Sequence, residues 1–258
     1  MTYTNRFRRW GASICSSIFS LLAVLALGQA GFSQTVPATG ASALPPIIVV
    51  GFVGGFIKHD DLVHSEVQLA ARLRKAYPSG VDVETFESYR GERALKKVLG
   101  LLDTNHDGTL TNDEKRNARI IIYGHSWGGS EAIALARDLE KDDVPVLLTV
   151  QVDSISKIHE NDAVIPANVA QAANFYQANG LLHGQSEIRA ADSTHTKIIG
   201  NFRFEYKPSA YNCTKYPWYD RLFVKAHTQI ECDPKVWEQA ESLIRSDLPP
   251  TTRSGPQQ

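Results

Sequence analysis

One serine in this sequence lies between closely spaced glycines. Gly124, Ser126 and Gly128 follow the apolar, β-branched run 118–123, which predicts a buried strand, and precede residues 130–139, whose composition predicts a helix. The chain must turn sharply between these elements, and flanking glycines remove the Cβ atoms that would clash in such a turn. The Ser126 hydroxyl would therefore project from the sheet edge, where it could act as a nucleophile if a base accepted its proton.

The hexapeptide Gly124-His125-Ser126-Trp127-Gly128-Gly129 resembles the nucleophile elbow of the α/β-hydrolases, especially lipases and esterases. The resemblance is specific at the elbow and extends loosely, by the order of elements, over most of the chain after residue 44. It implies an α/β-hydrolase fold, with a mainly parallel sheet and helices on both faces. The alternation of predicted strands and helices between residues 47 and 246 points to the same layout.

The resemblance also implies a base and an acid that activate Ser126. His227 lies between the last predicted strand and the last predicted helix, which is the position of the base in this family. Asp153 ends the apolar strand 144–152, as the acid does in some lipases, whereas Asp192 would match the many α/β-hydrolases that place the acid one strand later. We favour Asp153, because the residues before Asp192 are poorly patterned.

Backbone N–H groups are expected to bind the oxyanion that forms during such a reaction. By its place in the elbow, Trp127 would supply one of them. The other would come from the glycine-rich loop after strand 47–50, with Phe52 as the predicted donor and Val53 as a close second. Among the remaining histidines, His125 is expected to point away from Ser126, and His59 and His64 could shape a substrate pocket near this loop.

A second motif, residues 103–114, matches the EF-hand calcium loop at its defining positions. The position of Gly108 suits the sharp turn that such a loop makes, and a predicted helix leads into the loop, whereas little room remains for a helix on the exit side. The pattern predicts a structural Ca²⁺ site that takes no part in catalysis. Its expected ligands are Asp103, Asn105, Asp107, the Thr109 carbonyl and Glu114.

Both ends of the chain are predicted to lie outside the folded domain. Residues 1–30 carry three arginines followed by an apolar run and small residues, which predicts a cleaved signal peptide. Residues 31–44 read as a flexible leader, 45–247 as the hydrolase domain and 248–258 as a disordered tail. Cleavage would leave Cys213 and Cys232 as the remaining cysteines, and an even pair in an exported protein predicts a disulfide over two free thiols.

These observations together predict an exported serine hydrolase that cleaves a carboxylic ester through an acyl-enzyme on Ser126. Thioesterase and peptidase chemistry would use the same residues, and a non-catalytic calcium-binding or interaction protein on a hydrolase scaffold is the alternative from another class. We expect a small-molecule or lipid ester as substrate, no cofactor for catalysis, no stable membrane anchor after cleavage, and a monomer. With a net charge of −1, the chain has no basic character that would suit nucleic acid.

Overall fold

The structure is a computed structural model that describes residues 46–180, 182–207, 213–218, 221 and 224–251. The predicted signal peptide, the leader and most of the predicted tail lie outside the described residues. None of the helices in the described ranges combines the length and apolar character needed to cross a membrane.

Six strands form one sheet in which every pair of neighbours is parallel. The strands of the described chain are β1 Ile47–Val53, β2 Val81–Glu87, β3 Ile120–His125, β4 Val146–Val152, β5 Val164–Ile165, β6 Val169–Gln177, β7 Arg189–Ala190 and β8 Lys197–Phe204. The order across the large sheet is β2-β1-β3-β4-β6-β8, and β5 pairs with β7 in a separate two-stranded sheet. The central β3 begins with the apolar run 120–123 and is buried along its whole length, as is typical of a parallel strand that is covered on both faces.

Helices pack on both faces of the large sheet. The described helices are α1 Ser65–Ala76, α2 Gly91–Leu102, α3 Asn112–Arg116, α4 Trp127–Lys141, α5 Lys225–Cys232 and α6 Pro234–Ser246. Alternate side chains of β1 and β3 enter different cores, because successive residues of a strand point to opposite faces. One core joins the sheet to α1 and α6, and the other joins it to α2 and α4. The predicted α/β layout with helices on both faces is confirmed.

Some predicted boundaries were wrong. The sequence of residues 166–177 predicts a short helix and another strand; the strand is confirmed as β6, but a turn stands in place of the helix, because the alanine-rich segment pairs with β4 and β8. The alternation in residues 201–206 predicts a late strand, which in the structure begins earlier, at Lys197. Leu248 was assigned to a disordered tail, yet it is buried in the core beside α6, so the folded chain continues past residue 247.

Candidate functional site

Ser126 occupies the turn between β3 and α4 in a strained backbone conformation. Its φ of 55° and ψ of −127° are rare for a residue with a side chain. Three hydrogen bonds hold it there: its N–H donates to the Val152 carbonyl at 3.0 Å, and its carbonyl accepts from the Gly129 N–H at 3.0 Å and the Ile155 N–H at 3.1 Å. Such strain persists only where the surrounding structure fixes it, and it is concentrated at functional sites.

The glycines of the elbow allow α4 to pack directly against two strands. A Cβ on Gly124 would overlap the Gly128 carbonyl, and a Cβ on Gly128 would overlap the Phe52 carbonyl. Side chains at either position would push the start of α4 away from the sheet edge. The glycines on either side of Ser126 are therefore required because any Cβ at these positions would clash, as the sequence predicted.

Ser126 opens into a cavity of about 310 Å³ above the carboxyl edge of the sheet. His227, from α5, lines the same cavity. The remaining wall combines the loop after β1 with apolar and titratable side chains, among them Gly54, Gly55, Phe56, Ile57, His64, His125, Trp127, Ile155, Leu182 and Glu231.

His227 is paired with Asp153, which directly follows β4. The His227 Nδ1 lies 2.7 Å from the Asp153 Oδ2, and both side chains are buried. The Asp153 carboxylate also accepts hydrogen bonds from the Gln177 side chain at 2.9 Å and from the Gly184 N–H at 2.7 Å. The imidazole is thus held by one nitrogen, and its Nε2 is left for other interactions.

The pKa values of both Asp153 and His227 are lowered, which favours the charged form of the carboxylate and the neutral form of the imidazole. Burial would raise the pKa of Asp153, but the hydrogen bonds from His227, Gln177 and Gly184 outweigh it, so the pKa falls below its usual value. Burial lowers the pKa of His227, and the nearby His125 lowers it further against the opposing effect of Asp153. The pair therefore combines an ionised carboxylate with a neutral imidazole, which is the resting form of a base.

Asp192, the alternative acid, lies in an exposed turn. Its carboxylate pairs with His195 at 2.9 Å and accepts hydrogen bonds from Thr194. Hydrogen bonds from Thr194 and His195 lower its pKa to about 2. The structure therefore brings Asp153 to His227 and leaves Asp192 with a different histidine.

The two predicted oxyanion donors are placed differently. Trp127 is the first residue of α4, where backbone N–H groups have no partner within the helix. Phe52 lies inside β1, opposite Phe86 and Gly124, and does not line the cavity. Val53, the second choice, is the last residue of β1 and does not line the cavity either. The segment that faces Ser126 begins at Gly54, where a Cβ would lie 3.1 Å from the Ser126 Cβ. Val53 is adjacent to this segment, whereas Phe52 lies one residue further from it.

His125 does not point away from the site, contrary to the sequence expectation. Its buried ring stacks on His227 with the ring centroids 4.6 Å apart, and it lines the cavity. Burial alone would lower the pKa of His125, but the carboxylates of Glu231 and Glu66 outweigh it and raise the pKa to about 9. His64 also lines the cavity, whereas His59 pairs with Glu87 at 2.8 Å and is not part of the lining.

Aromatic side chains surround the mouth of the cavity. Phe56 and Trp127 meet edge to face with their centroids 5.6 Å apart, and Phe56 is 6.4 Å from Tyr89. All three are exposed, with Phe56 84% accessible. Three exposed aromatic rings next to a cavity form an apolar surface that suits an apolar ligand.

The predicted calcium loop connects α2 to α3 in a compact conformation. The Asp103 carboxylate accepts from the Gly108 N–H at 2.9 Å, and Glu114 accepts from the Thr104 N–H at 2.8 Å. Carboxylates from both ends of the loop are thereby directed into it. Hydrogen bonds from Thr111 and Thr104 lower the pKa of Glu114 to about 2, so this carboxylate carries the charge that a Ca²⁺ ligand needs. The exit helix α3 is short, as the sequence predicted.

A disulfide joins Cys213 to Cys232, the last residue of α5, as predicted. Their Cα atoms are 6.0 Å apart. His227 lies between them in sequence, in α5 and not in the loop that the sequence suggested. The predicted final helix is confirmed as α6, and its N-cap Asp233 accepts a hydrogen bond from the Lys235 N–H at 2.9 Å.

The sheet of parallel strands, the strained elbow and the helices on both faces define an α/β-hydrolase fold. No protein-family model matches the chain, and no curated protein matches its sequence. Among solved structures, the chain is similar to the thioesterase RedJ of the prodiginine biosynthetic pathway of Streptomyces coelicolor. The two share 9% identity with a TM-score of 0.40, over 85% of this chain and 98% of that one.

A second similar structure is P91, a dienelactone hydrolase-like promiscuous phosphotriesterase from metagenomic libraries. It shares 16% identity with a TM-score of 0.37, over 78% of this chain and 87% of that one. At such identities and TM-scores, neither similarity assigns an activity or a substrate to this chain.

Proposed function

We propose that this protein is an exported serine hydrolase that cleaves a carboxylic ester through an acyl-enzyme on Ser126. The observation that carries the proposal is the strained Ser126 in a cavity that His227 also lines, with the His227 Nδ1 2.7 Å from Asp153. A serine hydroxyl is a weak nucleophile at neutral pH, so the neutral base beside it is the essential partner.

In this mechanism, the Ser126 Oγ attacks the ester carbonyl while the His227 Nε2 accepts its proton. Asp153 holds the imidazole by Nδ1 and stabilises the imidazolium that forms. The tetrahedral oxyanion is bound by the backbone N–H of Trp127 and by that of Val53 or Phe52, with Val53 preferred for its place at the end of β1. His227 then protonates the leaving alcohol, and water releases the acyl group by the same steps in reverse.

The mouth of the cavity supports an apolar ester as the substrate. Phe56, Tyr89 and Trp127 would contact the acyl or alcohol part that extends beyond the reacting carbonyl. Thioester and amide hydrolysis use the same residues and remain alternative chemistries at this site. A cavity of about 310 Å³ suits a small ester or one chain of a larger lipid ester.

A panel of p-nitrophenyl esters of increasing acyl length tests the proposal. The wild type should hydrolyse some of them, and Ser126→Ala should lose more than about a thousandfold in kcat/KM, since the nucleophile is removed. Ser246→Ala is a matched control at the end of α6, where the hydroxyl donates only to the Leu243 carbonyl. No turnover of esters or thioesters by the wild type would favour the non-catalytic alternative.

We further propose that residues 103–114 bind a structural Ca²⁺, held by Asp103, Asn105, Asp107, the Thr109 carbonyl and Glu114. The convergence of carboxylates from both ends of the loop supports this site. The loop precedes β3, and Ser126 follows the opposite end of that strand, about 20 Å away at the usual rise per residue. An ion at that distance would stabilise the start of β3 without contacting the substrate.

A further inference from the structure

Four buried titratable side chains, three of which line one wall of the cavity, have no part in the proton relay proposed above. They are His64, Glu66, His125 and Glu231, and each is at most 5% exposed. They come from the N-cap and first turn of α1, the end of β3 and the last turn of α5. A group of this kind must be neutralised, because buried charges without partners are strongly unfavourable.

The hydrogen bonds among the described residues do not satisfy this group. His64 Nδ1 lies 2.6 Å from Glu231 Oε1, but His125 Nδ1 lies 3.6 Å from both Glu66 Oε1 and Glu231 Oε2, which is too long for a hydrogen bond. Within the described ranges, neither oxygen of Glu66 and neither ring nitrogen of His125 has a hydrogen-bond partner. These four buried polar atoms converge on one small region.

The dimensions of the group suit a metal ion. Ligand atoms of His64, Glu66 and Glu231 all lie within 4.8 Å of one another. A tetrahedral Zn²⁺ with bonds of about 2.0–2.1 Å places its ligand atoms about 3.3 Å apart. The two separations of 3.6 Å around His125 are close to this value, and the shorter His64–Glu231 contact would lengthen by less than about 1 Å.

We propose that His64, Glu66, His125 and Glu231 bind a divalent transition-metal ion, with Zn²⁺ as the best match. On binding, the ion would displace the proton that Glu231 and Glu66 favour on His125 and release it to solvent. The two imidazoles, then neutral, and the two carboxylates balance the charge of such an ion, and nitrogen ligands favour zinc over calcium or magnesium. The ion would replace the missing hydrogen bonds of Glu66 and His125 with coordinate bonds.

The ion would position His227. Glu231 follows His227 by one helical turn on α5, and His125 both stacks on His227 and precedes Ser126 in sequence. Fixing these two side chains limits the movement of the base relative to Ser126. Metal binding itself does not depend on the proposed hydrolysis, whereas this positioning role rests on it.

The test is direct titration of the chelator-stripped mature protein with Zn²⁺ in excess Ca²⁺, with bound metal measured by equilibrium dialysis and elemental analysis. We expect about one Zn²⁺ per chain with a Kd below about 1 µM. Co²⁺ should give the intense visible absorption of a four-coordinate site. Ser126→Ala should bind Zn²⁺ as the wild type does, which separates this proposal from the proposed hydrolysis.

Variants locate the site. Glu66→Gln keeps the shape of the side chain and removes its charge, and His64→Gln removes a nitrogen ligand, so each should weaken Zn²⁺ binding at least about tenfold. Glu131→Gln, at a buried carboxylate that pairs with Lys157 outside the group, should bind normally. Circular dichroism and melting establish that each variant is folded, and if one is not, the other provides the test.

Three results would overturn the proposal. The first is no binding by the wild type at micromolar Zn²⁺. The second is undiminished binding by folded Glu66→Gln or His64→Gln. The third is loss of binding in His195→Asn, which would place the metal at the exposed His195–Asp192 pair instead.

Discussion

At the scale of single residues, two residues at the carboxyl edge of the sheet adopt backbone conformations with positive φ. Ser126 has a φ of 55° and Asp153 a φ of 43°. Asn and Asp tolerate positive φ better than other side chains, so Asn is the substitution that tests Asp153 with the least added strain. Ala at this position would combine loss of the carboxylate with a backbone penalty.

Asp153→Asn should lower kcat for ester hydrolysis by about 10⁴-fold, because an amide no longer holds His227 in the required tautomer. The melting temperature is measured alongside, since Asp153 also accepts hydrogen bonds from Gln177 and Gly184.

Asp192→Asn is the matched control for Asp153. Its carboxylate contacts His195 and Thr194 in an exposed turn, so kcat should be unchanged. If Asp192→Asn abolishes turnover and Asp153→Asn does not, the acid has been assigned to the wrong strand.

The candidate site residues that belong to a local sequence pattern could be predicted, and those outside any local pattern could not. Ser126 is marked by its glycines, and Asp153 and His227 by their places after a strand and before a helix. The pairing of His64 with Glu231 joins positions 167 residues apart, and no local spacing reports it. One signal was present at Glu66, a carboxylate near the start of residues 62–77, whose apolar residues at helical spacing predict a helix with a buried face.

At the scale of elements, the close contact between α4 and the sheet depends on glycine at two positions. Gly124 and Gly128 allow the start of α4 to approach β1 and β3 more closely than any Cβ would permit. Gly100, in α2, has open space around its Cβ position. Close packing therefore requires glycine at positions 124 and 128 but not at position 100.

Gly128→Ala should destabilise the fold by about 1–3 kcal/mol or more, because its methyl group overlaps the Phe52 carbonyl. Gly100→Ala should instead stabilise it by about 0.5–1 kcal/mol, since alanine is the better helix former. Urea unfolding measures both, and a neutral Gly128→Ala would refute the close packing at the elbow.

The calcium loop should stabilise the fold without affecting turnover. In chelator-stripped protein at constant Zn²⁺, adding Ca²⁺ at a hundred times its Kd should raise the free energy of unfolding by about 2.7 kcal/mol. Thermal melting with and without Ca²⁺ measures this, and kcat well below the melting temperature should not change.

Glu114→Gln should abolish the Ca²⁺-dependent rise in melting temperature by removing the bidentate ligand. Asp138→Asn, an exposed carboxylate that pairs with Lys141, is the control and should leave the rise intact. A wild-type melting temperature that does not respond to Ca²⁺ would mean that residues 103–114 form only an acidic turn.

Elements with strong patterns were predicted well, and ambiguous ones were not. The short β-branched runs at β1 and β3 have a composition that is typical of buried strands. The segment that became β6 is rich in alanine and carries little strand preference, so its pairing with β4 and β8 decided its conformation. The observed β8 begins at Lys197 and not at the predicted residue 201, and its pairing with β6 contains a register shift at Ala172/Ala173. Only the assembled sheet determines such a shift.

At the scale of the whole molecule, the proposed base, His227, lies in a segment whose two ends are joined by a disulfide. Cys213 and Cys232 are 19 residues apart, and His227 lies between them. The disulfide reduces the conformational entropy of the unfolded chain. In the folded chain it keeps the end of α5 close to Cys213.

The double variant Cys213→Ser/Cys232→Ser should lose about 3 kcal/mol of stability, as expected for a closed loop of this length. Ester turnover should also decline at a lower temperature than in the wild type. Reduced wild type should behave like the variant, and equal stability of the oxidised wild type and the double variant would contradict this role.

The fold as a whole could be predicted because parallel α/β proteins alternate strands and helices in sequence. The site could be predicted only in part. Two of the proposed relay residues, Ser126 and Asp153, directly follow strands. The buried group beside them assembles from α1, β3 and α5, which are distant in sequence and meet only in the folded molecule.

The most direct test of the central claim is covalent labelling with a fluorophosphonate followed by peptide mapping. A serine activated by His227 should be phosphonylated at Ser126 with about one label per chain, and ester hydrolysis should be lost in parallel. Ser126→Ala should remain unlabelled while it melts as the wild type does. Ester hydrolysis by an enzyme that takes no label, or a label on any residue other than Ser126, would contradict the account.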